Sequence, residues 1–486
     1  MRPITWITRA GIVSVFATLL PQQVFASGFL AARFGGEHGH PTTDDTTAIY
    51  YNPAGLALRS GTHISINGLM AYRKASYDRS PEAIDNVVAA GGTGAGTPAA
   101  DVAANSGEAT LSNILASPFV GAASDLGIKN LAVGLGFFVP FGGQAEWDKD
   151  SAYEGSARFP GAVDGSQRWA AISGTIRELY FSAAVAYRLP KQRLSFGAAF
   201  NVVRSEIDTV RARNADGTDN LLDSAGNLQE GRSYLKADAT DVSAAFGVIY
   251  QPTETSWLGA SYQSQPGFGE NTLSGTLDNK LGTTASVRSN IEVTQSLPDV
   301  IRVGGRYRPR KNLELRLSGE YARWSVFDKQ CIINADDAAR KCLVKADGAS
   351  DTANGGAGIL VVIERDWHDA MGVRGGASYW VTPTVEAYGG LGYDGNAVPD
   401  ETIEAALIDM GKITASVGGK FTLLDNKLGL DLGYTHVFYF DRPVAARPRD
   451  AGGKQVSSLP PSKNPDGAGR YEQMIGVLSL QVEYSF

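Results

Sequence analysis

The sequence predicts an all-β fold: a 14-stranded antiparallel transmembrane β-barrel with an N-terminal hatch, or plug, inside its lumen. Three observations predict this fold. Apolar and polar residues alternate over stretches of about ten residues or more, the length that a tilted membrane strand needs. Short and long connections alternate between these stretches, and the N-terminus has the layout of a secretory signal.

The clearest predicted strand is the last one. In residues 474–486, every second position from Met474 to Phe486 is apolar or small, whereas intervening residues such as Gln481 and Glu483 are mostly polar. A period of two over about a dozen residues indicates a strand with one apolar face. A final strand that ends in Phe is also usual in outer-membrane barrels, where the barrel assembly machinery reads it. Similar alternation recurs at residues 179–189, 313–321 and 428–440.

The connections between the strands fix their predicted number. Short turns are expected at residues 125–130, 189–193, 251–255, 308–312, 381–384 and 424–427. Long polar or Gly-rich segments are expected at about 80–110, 143–174, 211–236, 264–290, 329–364, 395–412 and 442–470. Thirteen connections join fourteen strands, and this strict alternation is the layout of bacterial outer-membrane barrels. Closure leaves no sheet edge exposed to lipid.

Composition supports one large β domain. The chain has 486 residues with 57 Gly and a mean hydropathy of -0.14, which is too polar for a helical membrane protein but suits strands that are apolar on one face. Arg2 and Arg9, the short apolar stretch 10–20 and the small residues around position 26 predict a signal peptide over residues 1–26. Removal of its two Arg would take the net charge from -7 to -9, which argues against a nucleic-acid partner.

The segment before the first strand does not alternate. Residues 27–58 are rich in Gly and Pro and hold the turn Asn52-Pro53-Ala54. They are expected to form the hatch, positioned by this turn, with the barrel over residues 59–486. A disordered tail and an ordinary turn are the alternatives. A barrel of fourteen strands is wide enough to need filling if it is not to leak.

The two cysteines, Cys331 and Cys342, lie eleven positions apart in a polar stretch. In an oxidising compartment such a pair closes a small loop, so a disulfide is expected. A metal site would need more ligands than this pair and the five His supply, so no metal is expected. The sequence has no Gly-x-Ser-x-Gly elbow, phosphate-binding loop or His-Glu-x-x-His motif, and we expect neither a catalytic site nor a cofactor.

Five ordered stretches of this sequence resemble one known family. They are residues 44–55 with Asn-Pro-Ala, residues 139–142 (Val-Pro-Phe-Gly) with 146–147, residues 186–189 with 194–201, residues 297–299 (Leu-Pro-Asp) with 320–325, and residues 367–369 with 389–400. In order and spacing these resemble the FadL/TodX family of outer-membrane transporters of hydrophobic compounds, across nearly the whole mature chain. The resemblance implies a hatch-filled 14-stranded barrel that passes long-chain fatty acids or other hydrophobic molecules by diffusion.

The resemblance also implies an opening in the barrel wall at a kink in the third strand. The corresponding residues are Pro140, Phe141 and Gly142, preceded by Gly134 and Gly136. Because Pro cannot donate to a ladder and Gly weakens it, both residue types mark edges, bulges or breaks. An alternative is that Pro140 merely ends the strand at the outer rim.

A fatty acid needs an apolar pocket and a cation for its carboxylate. The family implies that the mature N-terminus, with Phe29, Leu30 and Phe34, lines a tight internal site, and alternation places Arg316, His368 and Arg374 on the lumen side. Pairing of these charges with lumen carboxylates is the alternative. His368 stands where similar sequences carry Lys. A neutral imidazole would hold a carboxylate less firmly, which leaves neutral hydrocarbons open as substrates.

Three functions are compatible with this reading. The first is gated uptake of hydrophobic compounds, most favourably long-chain fatty acids and alternatively aromatic or alkane hydrocarbons. The second is a general porin, and the third is an adhesin or structural barrel. The expected partners are a hydrophobic small molecule, outer-membrane lipid with lipopolysaccharide, and the barrel assembly machinery. A monomer is expected. The outer loops read as polar, with isolated apolar residues such as Leu221 and Leu222.

Overall fold

The computed structural model describes residues 33–84, 99–214, 218–222, 226–282, 284–345, 350–448 and 465–486, and it confirms the predicted closed antiparallel barrel. The expected signal peptide, Phe29 and Leu30 lie outside the described residues. The strands are β1 (Thr62–Arg79), β2 (Gly107–Ser124), β3 (Leu131–Glu146), β4 (Ser173–Leu189), β5 (Leu194–Arg213), β6 (Gly231–Thr253), β7 (Ser256–Gln263), β8 (Glu270–Lys280), β9 (Val287–Ser296), β10 (Val300–Arg310), β11 (Leu313–Ala322), β12 (Lys329–Asn334), β13 (Ile359–Glu364), β14 (Ala370–Thr382), β15 (Val385–Asp394), β16 (Lys412–Leu423), β17 (Leu428–Tyr439), β18 (Arg442–Val444) and β19 (Gly469–Ser485).

The helices are short. In the described part of the chain, two are α-helical, α1 (Ala48–Tyr51) and α2 (Ala99–Ala103), and 3-10 turns occur at Gly36–His38, Pro53–Leu58, Pro81–Ala83, Ser151–Tyr153, Pro160–Asp164, Ser166–Trp169, Pro190–Gln192, Pro266–Phe268, Trp324–Val326 and Thr352–Asn354. Within the described ranges, none of the helices has the length and apolar character needed to cross a membrane.

Fourteen strands of the described chain close into a ring. The ring runs β1-β2-β3-β4-β5-β6-β7-β10-β11-β14-β15-β16-β17-β19 and returns to β1, with every neighbouring pair antiparallel. The six predicted short turns lie at 125–130, 190–193, 254–255, 311–312, 383–384 and 424–427, between the strands expected. Strand number and turn positions therefore follow the sequence prediction.

The ring is apolar outside and polar inside. On β19, Leu480 is 52% exposed and Leu478 is also exposed, whereas Gln481 and Glu483 are buried at 4% and 5%. This is the reverse of a water-soluble sheet, in which the apolar face is the buried one. An exposed apolar band on a closed antiparallel ring is the surface that lipid requires.

Four successive ring strands are interrupted at one level, and their outer parts form a separate ladder. The interruptions lie at residues 264–269, 297–299, 323–328 and 365–369. Beyond them the order is β6-β8-β9-β12-β13, which we call the outer ladder. Its inner face is apolar, and its buried residues form one cluster with Ile207 of the neighbouring β5: Leu235, Leu273, Leu277, Ile291, Val293, Ile332 and Val361. The outer part of the lumen is thus apolar where the lower part is polar.

The described part of the expected hatch and the three residues that lead into β1, together residues 33–61, lie inside the ring and contact the wall on many sides; this segment is called the hatch below. The polar contacts that tie the hatch to the wall are Glu37 to Ser416, His38 to Glu386, Asp44 to Arg306, Thr46 to Ser65, Asn52 to Val248, Tyr50 to Arg302 and Arg59 to Glu483. These wall residues belong to strands β1, β6, β10, β15, β16 and β19. The hatch is therefore held across the lumen rather than against one wall.

Asn52 anchors the hatch at its central turn. Its side-chain Nδ2 donates to the carbonyl oxygens of Val248 at 3.1 Å and Ala260 at 3.3 Å, on two neighbouring strands. Its Oδ1 accepts from the backbone N–H of Ala54 at 3.1 Å, which caps the 3-10 turn Pro53–Leu58. One side chain thus fixes both the turn and its place on the wall.

Two glycines make room for this turn. Gly197 and Gly247 are register partners on β5 and β6. A Cβ on Gly247 would lie 1.8 Å from Oδ1 of Asn52, and one on Gly197 would lie 2.2 Å from the backbone nitrogen of Ala54. Only Gly permits so close an approach of hatch and wall. The Asn-Pro-Ala turn and the paired glycines are complementary parts of one seat.

His38 fastens the other end of the hatch. Its Nε2 lies 2.8 Å from a carboxylate oxygen of Glu386, and its Nδ1 lies 3.0 Å from one of Asp431. Burial alone would lower the pKa of His38, but the contacts with Asp431 and Glu386 outweigh burial and raise it to about 9. The imidazolium is therefore charged at neutral pH and held by two carboxylates.

Gly247→Val is expected to displace the hatch, because the added side chain occupies the position of the Asn52 amide. We expect a loss of stability of roughly 1–3 kcal/mol and a rise in ion conductance across planar bilayers, since a displaced plug no longer fills the lumen. The matched control is Gly68→Val on the lipid-facing side of β1, where a Cβ meets nothing within 4 Å. Unchanged conductance of the Gly247 variant would contradict the conclusion that Gly247 makes room for the Asn-Pro-Ala turn of the hatch.

Raising the pH from about 7 to about 10 is expected to loosen the hatch near His38. The raised pKa means that the ion pairs are fully present below the ordinary value of 6.5 and are lost as the pH rises through about 9. Hydrogen exchange of residues 33–40, corrected for its intrinsic pH dependence, measures this. The protection should fall in the wild type and stay independent of pH in His38→Gln. An equal fall in both proteins would assign the effect to another group.

Candidate functional site

An apolar cavity opens in the outer half of the barrel. It has a volume of about 170 Å³ and is lined mainly by inward aliphatic side chains of the wall and the outer ladder. These include Leu115, Ile176, Ile207, Leu235, Leu277, Val293, Ile332 and Ile363. The interruption of four strands produces this lining, because the outer ladder presents its apolar face to the lumen.

The segment between β15 and β16 completes the cavity. Leu407 and Ile408 line it, and Ile403, Leu407 and Met410 are buried. The sequence reading of the outer loops as polar is therefore wrong for this loop. Its apolar residues do not alternate and are interspersed with acidic ones, but the loop turns inward and buries them against the barrel.

The cavity carries an excess of positive charge. Its lining contains Arg73, Arg211 and Arg365 but one acidic residue, Glu404. Arg365 is held by that carboxylate, with its NH1 2.7 Å from Oε1 of Glu404, and it also donates to Oε1 of Gln330 at 2.7 Å. The lining therefore combines apolar walls with guanidinium groups, which suits an anionic amphiphile.

The barrel wall is interrupted between β2 and β3. The two strands pair only over residues 119–124 and 133–138, although β2 pairs with β1 along its whole length from Gly107 to Ser124. Above the last pair, Phe119 with Phe138, the ladder stops. It resumes as a single backbone hydrogen bond of 2.9 Å from Asp148 to the carbonyl of Thr110. We call the bounded gap the β2–β3 window.

Prolines account for the lower edge of the window. Pro140 follows the last paired residue of β3 by two positions, and the register of β3 against β4 shifts between Phe138 and Phe141. Pro118 directly precedes Phe119 on the other side. Neither Pro can donate a ladder hydrogen bond. β3 continues beyond Pro140 to Glu146, so the alternative that Pro140 simply ends the strand does not hold.

Side chains cross the window in place of a ladder. The hydroxyl of Ser117 donates to the carbonyl of Val139 at 3.0 Å, and Nδ2 of Asn113 donates to the carbonyl of Gln144 at 2.9 Å. Such contacts can exchange without unzipping a ladder. The cavity reaches this point directly, because Leu115, Gly142, Gly143, Gln144 and Ala145 line both.

The other predicted residues of the kink have separate positions. Phe141 is buried and meets the ring of Trp324 edge-on, with centroids 6.2 Å apart. Gly142 lines the cavity. Gly134 lies below the window, and a Cβ there would come within 2.9 Å of Leu56 and 3.1 Å of Ile49. That glycine accommodates the hatch rather than breaking the strand.

Phe34 packs under the window. Its ring is fully buried and lies 5.3 Å from that of Tyr50, 5.4 Å from Phe119 and 6.0 Å from Phe138. Phe119 and Phe138 are the last paired residues of β2 and β3. The hatch therefore closes the lumen at the height where the wall ladder ends.

Most lumen charges pair with one another. Arg374 contacts both carboxylate oxygens of Asp394 at 2.8 Å, and Arg316 lies 3.3 Å from a carboxylate oxygen of Glu314. Arg374 also lines a small cavity of about 30 Å³ beside hatch residue His40. Burial, with the charges of Arg316 and Arg306, holds the pKa of His40 well below its usual value, so that imidazole is neutral at pH 7.

His368 does not share these surroundings. It is exposed, whereas its neighbour Trp367 is buried against Trp324 and Phe327, and it lines neither cavity. The lumen position expected from counting alternation is therefore wrong. Asp366 at φ 44° interrupts the alternation just before it.

The cysteines lie on strand β12 of the outer ladder and in the loop that follows it. Cys331 on β12 is buried and forms a disulfide with Cys342 in the following loop. The bond ties that loop to the ladder that forms the cavity wall. In the described part of the chain, no group of His, Cys, Asp or Glu is arranged to hold a metal ion.

The chain is similar along almost its whole length to a protein of Neisseria meningitidis serogroup B that carries the name outer membrane protein NMB0088. The two are 24% identical over 457 residues, which span 91% of this chain and 90% of that protein.

Solved barrels show the same fold. A FadL homologue from Pseudomonas aeruginosa superposes with a TM-score of 0.71 at 16% identity, over 95% of this chain and all of that one. The Pseudomonas putida toluene transporter TodX gives 0.59 at 14% identity, over 96% and 99% of the two chains. The Ralstonia pickettii toluene transporter TbuX gives 0.58 at 15% identity, over 95% and 99%.

The family profile described as outer membrane protein transport protein (OMPP1/FadL/TodX) matches residues 16–486. The match covers the hatch, the window and the cavity. The chain therefore belongs to the OMPP1/FadL/TodX family of outer-membrane transport proteins.

Proposed function

We propose that this protein takes up long-chain fatty acids from outside the cell by diffusion and releases them sideways through the β2–β3 window. The observation that carries the proposal is the continuity of the apolar cavity with that window. Residues 142–145 belong to both, so a molecule held in the cavity already lies against the break in the wall.

The route avoids the polar lower lumen. The hatch fills that part, and the rings of Phe34, Phe119 and Phe138 close it just below the window. An apolar chain in the cavity therefore has an apolar exit to the side. On the outer face of β2, β3 and β4, Val120, Leu135, Phe137 and Phe181 line a groove of about 470 Å³ that faces lipid. Transfer from cavity to groove keeps the chain out of water throughout.

The guanidinium groups of the cavity favour a fatty acid over a neutral molecule. Three Arg against one Glu leave a net positive lining, and a carboxylate desolvated among Leu and Ile needs such a partner. Neither the cavity nor the window requires an energy source, so uptake follows the concentration gradient. Release requires the side-chain hydrogen bonds across the window to part.

Neutral hydrocarbons are the second candidate. Two proteins with solved structures of the same fold, TodX and TbuX, are named toluene transporters, and the apolar walls would accept an aromatic or alkane molecule. The general porin is disfavoured because the hatch is tied across the lumen. We propose a monomer in outer-membrane lipid, delivered by the barrel assembly machinery.

Closing the window is expected to stop uptake without stopping binding. Asn113→Cys with Gln144→Cys, joined by a short bis-maleimide, bridges the two sides, because these residues are already hydrogen-bonded across the gap. Uptake of radiolabelled palmitate by cells that lack their own transporter should fall to the background level. The matched control joins Thr175→Cys and Asp208→Cys, partners in the continuous β4–β5 ladder, and should leave uptake unchanged. Equal uptake by both cross-linked proteins would exclude the window as the exit.

Binding of palmitate to the purified protein, compared with hexadecane, tests the substrate class. One charge-assisted contact should make palmitate bind at least about tenfold more tightly, since such a hydrogen bond contributes about 1.5–3 kcal/mol. Tighter binding of hexadecane or toluene would indicate that the substrates are neutral hydrocarbons, and the proposed exit through the β2–β3 window would be unaffected.

A further inference from the structure

Arg73 lines the cavity and also reaches the β2–β3 window. It stands on β1, beside Asn113 of β2 in the register. Its Nε donates to Oε1 of Gln473 on β19 at 2.8 Å, and its NH1 lies 3.5 Å from the carbonyl oxygen of Gln144 on β3. The side chain therefore crosses the inner face of β2 and contacts the free edge of β3.

Gln144 is the point at which that free edge is held. Its carbonyl oxygen receives Nδ2 of Asn113 at 2.9 Å as well as NH1 of Arg73 at 3.5 Å. In the continuous ladder below the window, backbone N–H groups of β2 donate to the carbonyl groups of β3. At this height two side chains replace them, and the longer of the two contacts comes from Arg73.

Arg73 differs from the guanidinium groups deeper in the lumen by its partners. Arg302, Arg306 and Arg374 each lie within 2.8 Å of a carboxylate oxygen, as does Arg365 in the cavity. Within the described residues, the hydrogen-bond partners of Arg73 are the neutral oxygens of Gln473 and Gln144. A half-buried guanidinium beside apolar walls with neutral acceptors is set to receive an anion.

We propose that Arg73 is a latch operated by the substrate carboxylate: it binds the carboxylate of a fatty acid in the cavity and thereby lets go of Gln144. This inference rests on the proposed function and deepens it by assigning the carboxylate site. A carboxylate is a stronger acceptor than a neutral carbonyl, and it takes two parallel N–H groups of a guanidinium. The long NH1 contact to Gln144 is the one that yields.

The consequence is selective release. Loss of the Arg73 contact leaves β3 held across the window by Asn113 and Ser117, among the described residues, and the Asp148–Thr110 hydrogen bond still bounds the upper end. A substrate with a charged head therefore loosens the wall beside its own apolar tail. A neutral chain of equal length fills the same cavity without moving the guanidinium.

The test compares palmitate with hexadecanol, which has the same chain and no carboxylate. In the wild type we expect palmitate to bind about tenfold more tightly than hexadecanol, and in Arg73→Gln we expect equal affinities. Arg73→Lys keeps the charge without the paired N–H groups and should retain part of the preference. Arg204→Gln is the control, because Arg204 forms its ion pairs on the outer face of β5 and β6.

The rate of hydrogen exchange of residues 143–146 measures whether the contact between Arg73 and Gln144 is released. Palmitate should accelerate exchange there in the wild type and in Arg204→Gln, but not in Arg73→Gln, and hexadecanol should have no effect in any of them. A merely structural Arg73 would change exchange equally with and without ligand. That result, or a palmitate preference that survives in both Arg73 variants, overturns the latch while leaving the cross-linking result for the window intact. Failure of the wild type to bind either probe overturns the proposed function and the latch with it.

Discussion

The requirement that every backbone polar group in lipid be hydrogen-bonded governs the whole structure. A sheet in hydrocarbon has to close on itself, because an unpaired strand edge cannot be solvated there. The ring of fourteen antiparallel strands meets this requirement nearly all the way round. The β2–β3 window departs from it, and at this position two prolines reduce the number of N–H groups that would otherwise need partners. The window is tolerated because side-chain donors, Asn113 and Ser117 among them, satisfy carbonyl groups on the free edge of β3.

The width of the ring is the second constraint, because the lumen has to be filled, and the hatch fills it. A closed ring of this size encloses space that strand side chains alone do not fill. The hatch fills it by close backbone approach at Gly197 and Gly247 and by ion pairs to the wall. Polar inward side chains of the ring strands line the lower lumen, whereas apolar side chains of the outer ladder line the outer part. The division between a polar, plugged half and an apolar, open half arises from the interruption of four neighbouring strands at one level.

Much of this architecture could be predicted from sequence, because period-two alternation and turn spacing are local signals. The strand number and the six turns followed from them. Alternation does not say which face meets water, so the apolar lining of the outer ladder was missed. Pro118 was also missed, although a proline inside a central strand was a usable signal. Arg73 could not have been found, since its contacts with Gln144 and Gln473 depend on strands that only the closed ring brings together. The error at His368 has a local cause, the positive φ of Asp366.

The seam between β1 and β19 also has a consequence for how the molecule assembles. It joins residues between 390 and 422 positions apart, from His63 with Ser485 to Arg79 with Gly469, along the full length of both strands. Contacts of such sequence separation form late and slowly, because a long loop must close before any of them contributes. The β2–β3 hairpin forms early and locally yet carries a much shorter ladder. For these two junctions the expected order of formation is the inverse of the final ladder length: the long-range seam is continuous, and the local β2–β3 junction keeps the shorter ladder.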